Sequence, residues 1–115
     1  MIVIKDYKPP SLNKVYREHW SKRRVEGDKV KWLVKEVMKG DWKYAPYAFV
    51  EPVTLEFKIY VKDKRKHDVD NFAVKDLIDG LVDCGVLEDD CDKYVKKVSK
   101  EIIRSDENKV EIRIK

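Results

Sequence analysis

The sequence predicts an α/β domain, an α+β sandwich with a mixed β-sheet and two main helices packed on one face, in the order β-α-β-α-β-β. Three observations carry this expectation. Residues 53–61 alternate apolar and polar side chains without a break. Two other segments, 21–39 and 71–83, place apolar residues three and four apart, as one face of a helix requires. The chain has 115 residues, 43% hydrophobic and 42% charged, which suffices for one modest core over 1–115 and not for two.

Taken in order, residues 1–6 read as a short first strand that ends before Pro9-Pro10. Residues 11–17 follow as a polar, basic connection. In the first helix Val30, Leu33, Val34, Val37 and Met38 make one buried stripe, Lys29, Lys31, Lys35 and Lys39 make a solvated face, and Gly40 is the stop. In the strand 53–61, Val53, Leu55, Phe57, Ile59 and Val61 point one way while Thr54, Glu56, Lys58 and Tyr60 point the other. The second helix turns Val74, Leu77, Ile78, Leu81 and Val82 inward, with Asp70 in N-cap position and Gly85 just past the end. Strands at 94–103 and 109–115, joined by the turn Ser105-Asp106-Glu107-Asn108, close the domain.

Charge is distributed unevenly. Residues 68–92 hold nine carboxylates against the single Lys75, a formal charge of −8, so with +4 overall the remainder of the chain carries +12. Local structure explains part of this: an Asp before a helix caps it, Lys75 and Asp79 are spaced for an i,i+4 pair, and Asp89-Asp90 sit in a turn. It does not explain the concentration. Like charge gathered at both ends of one helix-loop unit is unfavourable unless a cation neutralises it. Asp68, Asp70 and Asp90 are therefore candidate ligands for a hard ion, Mg²⁺ or alternatively Mn²⁺, with Asp89 as the alternative to Asp90. A calcium-binding EF-hand is excluded, because Ala73 stands where that loop needs glycine. Neither His19 nor His67 lies in a nucleophile motif, and no phosphate-cradling glycine loop occurs.

Basic surface around a carboxylate cluster suits an enzyme that draws in a polyanion and cuts it with a metal ion. Asn13, Lys14, Arg65 and Lys66 are the candidate DNA contacts nearest the cluster. Cys84 and Cys91 fit neither a disulfide framework nor a zinc site. With no apolar run long enough for a signal peptide or a bilayer span, a cytoplasmic protein without membrane contact is expected.

In this setting the chain resembles the RusA family of Holliday-junction resolvases. The matching residues are Pro10-Ser11-Leu12-Asn13, then Asp68-x-Asp70-Asn71, Lys75, Asp79-Gly80-Leu81, Gly85-Val86 and Asp89-Asp90. Two details depart from the family pattern. Lys75 falls five residues after Asp70 rather than four, and His67 stands where a basic residue usually precedes the first aspartate. The resemblance implies a homodimeric, metal-dependent endodeoxyribonuclease that resolves four-way junctions in recombination and repair by paired symmetric nicks. It implies Asp68, Asp70 and Asp90 as metal ligands, with Lys75 as the essential lysine that stabilises negative charge or contacts DNA. The alternatives are a non-catalytic nucleic-acid-binding protein on the same fold and a nuclease for other branched DNA.

Overall fold

The computed structural model describes residues 2–38, 49, 51–68 and 71–115. Its elements are β1 (Ile2–Lys5), α1 (Leu12–Arg17), α2 (Trp20–Met38), β2 (Val53–Val61), α3 (Lys75–Asp83), β3 (Val95–Arg104) and β4 (Lys109–Ile114). The strands form one mixed sheet ordered β1-β4-β2-β3, as expected of an α+β sandwich. β4 runs antiparallel to both β1 and β2, whereas β3 runs parallel to β2. Parallel neighbours need a long crossover, and the segment containing α3 supplies it. The turn at 105–108 therefore does not close a hairpin: β2 lies between the strands it joins. Asn108 fixes this arrangement by accepting the Lys62 N–H through Oδ1 at 3.0 Å, while the Ser105 N–H bonds to Val61 O at 2.9 Å.

β2 is the centre of the core. Its five inward side chains are all buried, and Leu55, Phe57 and Ile59 pair with Ile114, Ile112 and Val110 of β4. Val30 and Val34 of α2 and Leu77 and Leu81 of α3 pack onto that face. On the other face of the sheet, opposite charges sit across the strands, as in Glu56–Arg113 and Lys58–Glu111.

Three local expectations change. Residues 12–17 are not a simple connection but a helix, capped by Ser11, whose Oγ accepts the Lys14 N–H at 3.1 Å. The stripe on α2 is narrower than its sequence pattern: Gly27, Val30 and Val34 are buried, Leu33 and Met38 are partly buried, and Val37 is exposed near the end of the helix. Lys39 and Gly40 lie outside the described residues. Finally, α3 begins at Lys75 instead of 71, with Val74 in N-cap position, and Asp70, the expected cap, lies outside the described residues. The reason is tertiary. Residues 71–73 are drawn against the Pro10-Ser11 segment by the Ser11–Phe72 bridge and by the Ala73 N–H bonding to Pro10 O at 2.9 Å.

The end of α3 behaves as expected. Gly85 has φ of 77°, and the Val86 and Gly85 N–H groups bond to Leu81 O and Val82 O, both at 3.0 Å. Gly80 has a different role, close approach to α2. A Cβ there would lie 2.9 Å from both Cβ and Cγ2 of Val34. Alanine ordinarily gains about 1 kcal/mol over glycine inside a helix. Here overpacking reverses the sign, and Gly80→Ala is expected to cost about 1–2 kcal/mol in urea denaturation. The loss should shrink in a Val34→Ala background. A Gly80→Ala protein as stable as wild type would mean that the two helices separate freely.

Candidate functional site

The candidate site is built from residues 62–68 and 71–74, the start of α3 and the turn that precedes β3. Phe72 is its pivot. It is buried, its carbonyl accepts a hydrogen bond from Lys100 Nζ of β3 at 2.9 Å, and its ring lies 5.2 Å from that of His67. Phe72 separates two cavities. The first, about 350 Å³, is lined by Ser11, Lys66, His67, Asp68 and Asn71. The second, about 400 Å³, holds Lys75 and Asp90 with Tyr16, Ile78 and Lys100.

The folded chain sorts the acidic stretch into distinct roles. Asp76 is buried, and Arg23 of α2 grips it with Nη1 and Nη2 of its guanidinium at 2.6 and 2.9 Å. Asp83 lies 3.7 Å from Lys31, so that lysine belongs to an ion pair rather than to a purely solvated face. Lys75 makes the expected contact with Asp79 at 3.3 Å and also reaches Asp90 at 3.1 Å. This second contact folds the turn after α3 back to the helix's first residue. The Lys75 hydrogen bond holds the Asp90 carboxyl below the usual carboxylate range, and Asp90 in turn raises the Lys75 ammonium.

Asp89 is used locally: its Oδ1 accepts the Asp90 N–H at 2.7 Å. Asp68 is exposed, and its carbonyl accepts the Asn71 N–H at 3.0 Å. Asp70 lies outside the described residues. Asp68 and Asp90 line different cavities that share Phe72. Among the described residues, no group of three His, Cys, Asp or Glu side chains is arranged to hold a metal ion. In donor type the carboxylates suit a hard divalent cation.

Two further residues organise this region, and the acidic-cluster pattern did not mark either one. Asp63 receives Lys8 Nζ and His67 Nε2, both at 2.7 Å, and the Arg65 N–H at 2.9 Å. Lys8 first and His67 second hold its carboxyl well below the usual range. Because Asp63 is four residues from His67, spacing could have suggested the pair. Arg23 left no such signal, since Asp76 is 53 residues away in the chain.

Of the candidate DNA contacts, Arg65 and Lys66 are exposed, and Lys66 lines the Asp68 cavity. Asn13 and Lys14 are exposed on α1, whose cap Ser11 lines the same cavity. Cys84 and Cys91 are free thiols. Among the described residues, no helix is long and apolar enough to cross a membrane. No protein-family model matches the chain, and no curated protein matches it.

Proposed function

We infer that this chain is a metal-dependent endodeoxyribonuclease for branched DNA, resolving four-way junctions by paired nicks as a homodimer in the cytoplasm. The observation that carries the reading is the ordered series from Asp68-x-Asp70-Asn71 through Lys75 to Asp89-Asp90. The Lys75–Asp90 contact supports it, because it brings the last carboxylate of the series to the start of α3. Asp68, Asp70 and Asp90 are the residues that would hold Mg²⁺ or Mn²⁺, which supplies charge neutralisation and Lewis acidity at a phosphate.

The chain's own part is binding and orientation. Lys66 and Arg65 beside Asp68, with Asn13 and Lys14 on α1, attract and align the DNA backbone. Lys75 holds Asp90 in place and adds positive charge next to it. For the homodimer, the supporting feature is the outer face of α2. There Val25 and Trp32 are 52% and 59% exposed beside Leu33, apolar surface that a second copy would cover.

A second reading has its own support. Lys75 already neutralises Asp79 and Asp90, as expected if the protein binds nucleic acid without cutting it. One experiment separates them: a labelled four-way junction and a linear duplex, each incubated with the protein with and without Mg²⁺. Symmetric nicks in the junction alone, only with metal, are expected. Binding should weaken by roughly 0.9 log unit per log unit of salt for each phosphate neutralised. Tight junction binding with no cleavage in Mg²⁺ or Mn²⁺ would select the non-catalytic reading, and cleavage of flaps in preference to junctions would redirect the substrate.

A further inference from the structure

The corner where α1 hands over to α2 carries three exposed rings within five residues, Tyr16, His19 and Trp20. Tyr16 is 79% exposed and Trp20 71%, a large apolar area left in water. Two of the rings, His19 and Trp20, lie against each other. His19 Nδ1 accepts the Ser21 N–H at 3.3 Å and lies 2.8 Å from Ser21 Oγ, and the His19 ring sits 5.6 Å from that of Trp20. Tyr16 borders the cavity that contains Lys75 and Asp90, so the corner opens toward the candidate site.

Its charge is one-sided. Arg17, Lys22 and Arg24 are exposed and make no ion pair among the described residues. The sole carboxylate between residues 13 and 25, Glu18, is turned inward: its side chain is 10% exposed and its Oε2 is fully buried. Arginines interleaved with solvent-facing rings, with no exposed carboxylate among residues 13–25, match a ligand that alternates negative phosphates with flat apolar faces.

We propose that the α1–α2 corner is a stacking platform for unpaired nucleobases, receiving single-stranded nucleotides that emerge at a branch point beside Asp90. The proposal rests on the branched-DNA reading and narrows its substrate to DNA with unstacked bases. Tyr16 and Trp20 supply the stacking faces, while Arg17 and Arg24, the latter about 40° around α2 from Trp20, contact the flanking phosphates. A second copy of the chain fits elsewhere. Trp32 and Val25 lie about 120–140° around α2 from Trp20, so the apolar dimer candidate does not continue into this corner.

The test is the affinity of the intact chain for a fluorescein-labelled oligothymidine, read by anisotropy without divalent metal and compared with a duplex of equal length. Tyr16→Ala and Trp20→Ala are each expected to weaken oligothymidine binding roughly tenfold. Tyr16→Phe and Trp20→Phe should restore it, and duplex binding should change far less. A Tyr16→Ala/Trp20→Ala protein that binds oligothymidine as tightly as wild type would overturn the proposal. So would a double variant that turns a dimer into a monomer with its oligothymidine affinity unchanged, since the corner would then be a contact between copies. A wild-type protein that binds oligothymidine through these rings yet never cuts a junction would uphold the platform and remove the nuclease reading.

Discussion

Arg23→Ala is expected to destabilise the protein by about 3 kcal/mol, the lower part of the range for breaking a buried ion pair by removing one partner. Asp76 is 8% exposed, and among the described residues Arg23 provides both of the hydrogen bonds that its carboxylate oxygens accept from side chains. With the guanidinium gone, a buried carboxylate must ionise without a partner or take up a proton. The pair also ties α2 to α3, since the two residues are 53 apart in sequence. Urea denaturation should show the loss as a lower midpoint with little change in slope. Arg23→Met combined with Asp76→Leu should cost much less, because no buried charge is left behind. A loss below about 1 kcal/mol for Arg23→Ala would mean that water reaches Asp76 and that the pair is only a surface contact.

Asp68→Asn, Asp70→Asn and Asp90→Asn are each expected to reduce junction cleavage by at least about 10²-fold, the scale seen when one group stabilising charge in the transition state is removed. Junction binding should persist or tighten, since each change removes negative charge that repels phosphate. Asp68 and Asp90 are exposed, so folding should be nearly unaffected. Asp89→Asn is the informative contrast. The oxygen of Asp89 that accepts the Asp90 N–H has an equivalent in asparagine, so the turn survives and cleavage should continue. A dead Asp89→Asn beside an active Asp90→Asn would transfer the role to Asp89. Full activity in Asp70→Asn would dismiss the three-aspartate site.

Much of the fold was legible because local patterns and tertiary burial agree. The alternation through 53–61 corresponds residue for residue to β2, and Gly85 ends α3 as its position implied. The closing strands lie within a residue of their expected bounds. The Lys75–Asp79 pair was legible for the same reason, since i,i+4 spacing on a helix brings side chains together whatever surrounds them.

By itself, then, the sequence determined the fold class, the inward face of β2 and the acidic character of the stretch 68–92, all properties of periodicity and composition. Tertiary structure alone decided which carboxylates are neutralised by partners distant in sequence, and where α3 begins. Asp76 disappears into a pair with Arg23, Asp90 turns back onto Lys75, and Pro10 and Ser11 hold residues 71–73 out of the helix. It also decided that β2 separates β3 from β4, although only a short turn joins them. The physical reason is common to all of these. An ion pair or strand pairing between distant segments depends on how the chain packs in three dimensions, and periodicity carries information only about neighbours a few residues away.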